Sequence, residues 1–410
     1  FIEVRHLTKI FGAKPDGRAR QMVDAGASKD DVLRQTGHIV GLYDISLEIQ
    51  RGEVFVVMGL SGSGKSTLIR CLNRLIDPTS GEVLIDGQDI TTLNETQLQD
   101  VRRSKMDMVF QNFGLLPHQS VLDNVAYGLK VQGVPQKERL VRAYEALDLV
   151  GLGDWADSKP SSLSGGMQQR VGLARALCTD PDILLMDEAF SALDPLIRRQ
   201  MQDEMLQLQD RMHKTIVFIT HDLNEALRVG NRVAIMQDGV VVQVGTPTEI
   251  ITTPATQYVA DFIQDVDQGR VLPIDYAATQ AATVPLESST VAQALEVAQR
   301  TEEAAVYVVD AASRPVGLAT AADLAAGKPG DPVSTVVQAD FPTTDSSATL
   351  AHCYALCASG QPVAVLDSDG RLVGVVHPLD ILDRLGQVES IAESTDFDND
   401  LLTLQQEARQ

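Results

Sequence analysis

Gly59-Leu60-Ser61-Gly62-Ser63-Gly64-Lys65-Ser66-Thr67 is the stretch that decides the fold, because it fits the phosphate-loop pattern GxxxxGK[ST] at every fixed position. The residues before it, Val54-Phe55-Val56-Val57-Met58, make a short apolar run of the kind that forms a buried strand. Those after it, Thr67-Leu68-Ile69-Arg70-Cys71-Leu72, start a helix. Glycine has no Cβ, so a backbone built on Gly59, Gly62 and Gly64 can wrap closely around phosphate, with Ser61, Ser63 and Thr67 in the same cradle. The helix N-terminus adds its partial positive charge. Lys65 then reaches the β- and γ-phosphates, and the Ser66 hydroxyl is placed to ligate Mg²⁺. Strand, loop, lysine and helix together imply a nucleoside triphosphate site on an α/β fold.

The 410 residues allow two or three domains, each with its own core. The formal charge is −22, from 56 acidic and 34 basic residues, so the basic footprint of a duplex-binding protein is missing. Only ten of the basic residues are lysine. This composition resembles that of salt-adapted proteins, although a well-solvated acidic surface is the simpler and favoured account. No apolar run approaches the ~18 residues of a membrane span, which leads to the expectation of a soluble, cytoplasmic chain. Cys71, Cys178, Cys353 and Cys357 are too few and too scattered for a disulfide framework and read as reduced thiols.

Taken from the start, Ile2-Glu3-Val4-Arg5-His6-Leu7 alternates like a half-buried strand, and Phe11 falls just past its expected end. An aromatic face there could stack on adenine or belong to the core. Residues 13–38 read as an insertion of one or two surface helices. Met106-Asp107-Met108-Val109-Phe110 is a further strand with Gln111 at its end, and residues 119–158 are mainly helical. Leu163-Ser164-Gly165-Gly166-Met167-Gln168 then precedes a helix and supplies a second anion-binding end. One bound nucleotide needs only one such end. Ile183-Leu184-Leu185-Met186-Asp187-Glu188 is an apolar strand closed by two carboxylates, the first placed for Mg²⁺ and the second for the attacking water. Ser191-Ala192-Leu193-Asp194 follows, and a last buried strand, Ile216-Val217-Phe218-Ile219-Thr220, ends at His221, where an imidazole could meet the γ-phosphate.

In this order the motifs resemble the ATP-binding-cassette ATPases over residues 1–264, LSGGMQ being the most specific of them. The resemblance implies a mixed-sheet core with a helical subdomain (about 112–178) and an antiparallel β subdomain. It also implies a head-to-tail dimer in which each ATP lies between one chain's phosphate loop and the other's LSGGMQ run. Phe11, Lys65, Ser66, Gln111, Asp187, Glu188 and His221 would act in cis, with Ser66, Gln111 and Asp187 around Mg²⁺. Ser164, Gly165, Gly166, Gln168 and Asp194 would act in trans. Within that family the insertion after Phe11-Gly12, the wording from Leu184 to Arg198 and the C-terminal part look most like the ATPase subunits of bacterial glycine betaine/proline betaine importers. The expected partners are an integral-membrane permease and, through it, an extracytoplasmic substrate-binding protein, with the chain peripheral on the inner membrane face and no nucleic acid bound. Importers of another small solute, or a soluble cassette ATPase, are the alternatives.

From residue 265 to the end, 22 acids face 7 bases and the phosphate motifs stop. A repeat offset by 57 residues pairs Pro285 with Pro342, Asp310 with Asp367, Gly317 with Gly374 and Asp323 with Asp380. The expected copies are about 271–328 and 329–388, followed by an acidic tail over 389–410, and the pair resembles tandem cystathionine-β-synthase (CBS) domains. That resemblance implies an adenine nucleotide site, for cyclic di-AMP or a similar ligand, at Gly317, Thr320 and Asp323, with Gly374, His377 and Asp380 as its less complete twin. The module reads either as a sensor of nucleotide or ionic strength that gates hydrolysis or as a dimerisation unit without a ligand.

Overall fold

The computed structural model describes residues 1–110, 114–191, 193–264 and 266–394, with side chains through residue 386. These residues form two compact units, residues 1–250 with 254–259 and residues 251–253 with 260–394. The first unit opens with β1 (Ile2–Phe11), α1 (Arg18–Asp24), α2 (Lys29–Thr36), β2 (Ile39–Ile49) and β3 (Val54–Met58). It continues through α3 (Lys65–Leu72), β4 (Ser80–Ile85), β5 (Gln88–Asp89), α4 (Glu95–Ser104) and β6 (Met106–Val109). A helical block follows, α5 (Val121–Val125), α6 (Tyr127–Val131), α7 (Gln136–Leu149) and α8 (Gly165–Cys178). The chain then returns through β7 (Ile183–Asp187), α9 (Pro195–Met212), β8 (Thr215–Thr220), α10 (Leu223–Val229), β9 (Arg232–Gln237) and β10 (Val240–Gly245), and leaves by α11 (Pro247–Thr252) and α12 (Gln257–Ile263).

Two sheets result. One is six-stranded in the order β10-β9-β3-β8-β7-β6, parallel except for the β9–β10 hairpin; the other is antiparallel, β2-β1-β4-β5. All five residues of β3 and of β7 are buried, as expected of parallel strands covered on both faces. Phe55 and Val57 of β3, Leu185 of β7 and Val217 and Ile219 of β8 share one core with α3 and with Ile2, Val4, Leu47 and Val83 of the antiparallel sheet. The helix that follows the phosphate loop is therefore held in the shared core of the two sheets. Because β3, β7 and β8 are parallel, with Met58 beside Thr220 and Asp187 beside Ile219, the residues that follow them emerge at one edge of the sheet.

Phe11 is the last residue of β1, paired with Ile39, rather than a residue past the strand end. The reason is that the chain returns from the 13–38 insertion directly into β2, which extends the ladder to Phe11. The insertion itself is two short helices whose Ala19, Val23 and Val32 make a small core with Ile10, Val40 and Tyr43.

The second unit holds two copies of one plan. The first is β11 (Thr283–Pro285), α13 (Val291–Thr301), β12 (Ala305–Val309), β13 (Pro315–Thr320) and α14 (Ala321–Ala326). The second is β14 (Thr343–Asp345), α15 (Leu350–Cys353), β15 (Val363–Leu366), β16 (Leu372–Val376) and α16 (Pro378–Ser394). Each makes a three-stranded sheet with one parallel and one antiparallel pair. The repeat does not keep one offset. Thr283 opposes Tyr307 and Thr343 opposes Ala364, so the hairpins are 57 residues apart but the first strands are 60 apart, and Pro285 corresponds to Asp345 rather than Pro342. The second copy is shorter in its first helix: the 11 residues of α13 are answered by four in α15 and a 3₁₀ turn at Leu356–Ser359.

The two copies complete each other's sheets. Thr279, which leads into the first copy, exchanges both backbone hydrogen bonds with Val375 of β16 at 2.8 and 3.0 Å. Gln338, which leads into the second, does the same with Leu318 of β13 at 2.8 and 2.9 Å. Ala305, Tyr307 and Leu318 pack with Ala364 and Val375 between the sheets, and the Tyr307 hydroxyl donates to the Pro362 carbonyl at 2.7 Å.

Candidate functional site

The phosphate loop is a set of close backbone approaches that only glycine permits at two points. At Gly59 (φ +148°) a Cβ would lie 2.2 Å from the Met236 carbonyl oxygen, and at Gly64 (φ +106°) it would lie 2.5 Å from that of Gly41. Gly64 is also the N-cap of α3, so the first turn of that helix opens toward the loop. The Lys65 side chain is buried, and its ammonium donates to the carbonyls of Gly59 and Leu60 at 2.8 and 3.0 Å. Burial pushes its pKa down, while Glu188 and Asp187 nearby work the other way. Ser66 donates its hydroxyl to Asp187 Oδ1 at 3.0 Å, and Arg70, one turn further along α3, approaches Asp187 Oδ2 at 3.4 Å. A hydroxyl and a carboxylate in contact are the hard oxygen donors that a magnesium–nucleotide complex takes, so the residues present fit that ion.

Glu188 follows β7 with φ +46°, a left-handed conformation that a non-glycine residue keeps only when its surroundings impose it. Those surroundings are visible: its N–H donates to Ile219, and its carbonyl accepts from both the N–H and the hydroxyl of Ser191. The carboxylate lies 3.7 Å from His221 Nδ1. Lys65, Ser66, Asp187, Glu188 and His221 thus come together at one end of the sheet, as their sequence positions suggest. Phe11 is only partly covered, with the Lys9 ammonium 5.1 Å from its ring centre. Gln111 and Ala192 lie outside the described residues.

A second grouping stands on α8. Ser164 caps this helix, accepting from Met167 N–H at 3.3 Å, and Gly165, Gly166, Arg170, Leu193, Asp194 and Ile197 line one cavity of about 440 Å³ with it. A Cβ on Gly166 would meet Ile197 Cγ2 at 2.9 Å. Asp194 caps α9, accepting from the N–H groups of Leu196 and Ile197 at 3.1 Å, and Pro195 at the first helical position reinforces that start. Gln168 is turned back on its own loop, donating to the carbonyls of Pro160 and Leu163 at 3.0 and 3.2 Å. Of the residues expected to act in trans, Ser164, Gly165, Gly166 and Asp194 therefore share one cavity, whose lining includes none of Lys65, Asp187 and Glu188, whereas Gln168 does not line it.

Two residues beside the site are unmarked by any motif. The Tyr258 hydroxyl lies 3.3 Å from both the Leu60 N–H and the Met236 carbonyl, bracing the phosphate loop from α12. Arg70 had a signal in its spacing, four residues after Ser66 on the same helix face; Tyr258, 198 residues from Leu60, had none.

In the second unit the twin sites differ. Asp323 Oδ2 accepts from the Thr320 hydroxyl at 2.6 Å and from the Gln338 amide at 2.8 Å, closing a capping box on α14. At the equivalent place His377 Nε2 lies 3.0 Å from Glu303 Oε2, and Asp380 Oδ2 is buried with no hydrogen-bond partner. Gly317 lets the Gln338 segment close in, since a Cβ there would lie 2.0 Å from Val337 Cγ1. Among the described residues there is no cluster of three or more His, Cys, Asp or Glu that could hold a metal, and no helix long and apolar enough to cross a membrane.

The ABC transporter family profile matches residues 42–191, and the CBS domain profile matches residues 333–387. The chain is 48% identical over 378 residues to the glycine betaine/carnitine transport ATP-binding protein GbuA of Listeria monocytogenes, covering 92% of this chain and 95% of that one. It is 54% identical over 271 residues to the trimethylamine N-oxide transport system ATP-binding protein TmoW of Ruegeria pomeroyi, covering 66% and 79%. Among solved structures, the dimeric bacterial ABC transporter cassette MJ0796 superposes with a TM-score of 0.52 at 34% identity, over 60% of this chain and 99% of that one.

Proposed function

The chain belongs to the ATP-binding proteins of ABC transporters, and from that premise we propose that it powers the import of quaternary ammonium osmoprotectants, glycine betaine or proline betaine. ATP hydrolysis is the activity of the family. The observation that favours the betaine solute is coverage: the likeness to the Listeria protein takes in 92% of this chain and so runs through both units. Solute choice lies with the permease and the binding protein, the partners proposed here on the membrane and beyond it.

In the proposed reaction the phosphate chain of ATP takes the place of the Gly59 and Leu60 carbonyls at the Lys65 ammonium. The buried lysine loses little solvation in the exchange, because it has already left water. Ser66 and Asp187, with Gln111, would hold Mg²⁺, which when bound supplies positive charge against the β- and γ-phosphates. Glu188 would orient and deprotonate the attacking water, and His221, whose ring lies against that carboxylate, would contact the γ-phosphate. Phe11 would stack on adenine. Ser164, Gly165, Gly166, Gln168 and Asp194 would close the site from a second copy in a head-to-tail dimer, which gives the second anion-binding helix end a ligand.

The C-terminal module is proposed to gate this cycle in response to an adenine nucleotide such as cyclic di-AMP or to ionic strength. The alternative, a dimerisation unit, draws support from Thr320 and Asp323, which are engaged with each other rather than turned outward. The experiment is ATPase turnover of the chain assembled with its permease in vesicles, with and without glycine betaine and its binding protein, across an internal salt series. Stimulation by betaine that grows with salt is the expected result. Stimulation by a different solute would discard the betaine assignment, and a salt-independent rate with no calorimetric heat from adenine nucleotides would discard the sensor.

A further inference from the structure

Arg198 stands in the first turn of α9 and reaches two loops at once. Its Nη2 donates to the carbonyls of Leu193 and Ser191 at 3.1 and 3.4 Å, and its Nη1 donates to Asp222 Oδ2 at 3.4 Å. The side chain is about three-quarters covered, with 26% exposure, and its Nε is fully buried without a partner. Leu193 and Ser191 belong to the loop that joins Glu188 to α9, and Asp222 directly follows His221.

Both ends of this bridge are held by further hydrogen bonds. Ser191 is anchored on the Glu188 carbonyl by its N–H and its hydroxyl at 3.2 and 2.9 Å. Asp222 caps α10 through Oδ1, accepting from the Glu225 N–H at 3.3 Å, and its own N–H donates to the Thr220 hydroxyl oxygen at 3.0 Å. That hydroxyl in turn donates to the buried Glu225, whose other oxygen accepts from Gln202 at 2.9 Å. Gln202 is one turn after Arg198 on the same face of α9. The helix therefore reaches Asp222 through Arg198 and Glu225 through Gln202, and of these two side chains it is Arg198 that also holds the loop after Glu188.

We propose that Arg198 is a positioning residue that locks Ser191 and Leu193 to Asp222, the neighbour of His221, so that the two sides of the hydrolytic site move as one body. The planar guanidinium suits this task because its fork presents donors in two directions; a lysine ammonium at the same place is a single point charge and holds one side. When the loop is pressed by a second copy, the displacement reaches His221 through Arg198 and not through the ligand. The inference rests on the proposed hydrolytic site and dimer for that consequence.

The test is steady-state ATPase of the full chain assembled with its permease, in Arg198→Met, Arg198→Lys, Asp222→Asn and the Arg198→Met/Asp222→Asn double variant, with Glu188→Gln as reference. Asparagine keeps the cap on α10 and removes the charge. Arg198→Met is expected to lower kcat about tenfold or more with KM for ATP within about twofold, because geometry and not binding is lost. Arg198→Lys should fall between it and wild type, and the double variant should be no worse than Arg198→Met, as for two residues acting through one contact. Melting temperatures separate a folding defect from a positioning defect, and the lysine variant keeps the test alive if the methionine variant does not fold. Wild-type kcat in the folded variants, effects of the two singles that multiply, or a loss confined to KM would each overturn the inference. If Glu188→Gln itself turns over at the wild-type rate, the hydrolytic-site reading fails; if it is inactive while Arg198→Met is normal, only the clamp fails.

Discussion

Glu225 is 7% exposed, yet it accepts hydrogen bonds from Thr220 and Gln202 as a carboxylate would. Burial, the larger effect, pushes its pKa above the ordinary 4.5, and those two hydrogen bonds pull it back. A folded-state pKa above the unfolded one means that the stabilisation belongs to the protonated form: it is complete below about pH 4.5 and is lost as pH rises through the folded value. Glu225→Gln, neutral at every pH, should therefore melt at or above the wild-type temperature at pH 8, with the gain shrinking toward acid. A variant less stable than wild type at pH 8 would show that the two hydrogen bonds outweigh desolvation. Neither Glu225 nor Arg198 was legible in the sequence, whereas Lys65, Asp187, Glu188 and His221 were. The difference is physical. Phosphate chemistry needs residue types at fixed local spacing or at strand ends, which a linear reading sees, but Arg198 acts across 24 residues and Tyr258 across 198. Nothing in a lone arginine or tyrosine announces such a partner.

Elements were legible where periodicity is strong and tertiary demands agree with it. The buried strands at Val54–Met58, Ile183–Asp187 and Thr215–Thr220 and the helices of the insertion all follow the pattern of their side chains. The repeat shows the limit: its identities fix the hairpins at one offset, but the first strands are placed by backbone pairing, which carries no residue signature and tolerates a shorter helix between. One glycine in each copy tests that picture. Gly317→Ala places a methyl 2.0 Å from Val337 Cγ1 and 2.8 Å from the Gln338 carbonyl oxygen, on the very segment that caps β13. In Gly374→Ala the nearest neighbours are the Thr279 carbonyl oxygen at 3.2 Å and the Ala278 Cβ at 3.4 Å. Calorimetry of the full chain should show the second unit destabilised by about 1–3 kcal/mol in the first variant and clearly less in the second. Equal shifts would mean that the two sheet edges are closed alike, against the asymmetry of the structure.

At the scale of the whole molecule, charge and fold divide at the same place. The chain from residue 265 onward holds 22 acids and 7 bases, so its self-repulsion exceeds that of the ATPase part, and added salt should raise the melting of the second unit more than that of the first. Its two copies nonetheless lean on each other. The outer strand of each sheet bonds to the segment entering the other, and the face carrying Ala305, Tyr307 and Leu318 is covered by Ala364 and Val375. A chain cut after residue 328 would leave β13 with an open edge and Tyr307 without its Pro362 acceptor, a buried hydroxyl and an apolar face both released to water. Such a chain should keep the melting transition of the ATPase unit, lose the second one and bind a hydrophobic dye. A chain cut after residue 263, which ends with α12, exposes neither edge and should stay monodisperse and bind ATP. A cooperative second transition in the 1–328 chain would mean that one copy folds alone, and the mutual capping at Thr279 and Gln338 would then be decoration on two independent domains rather than the condition of their folding.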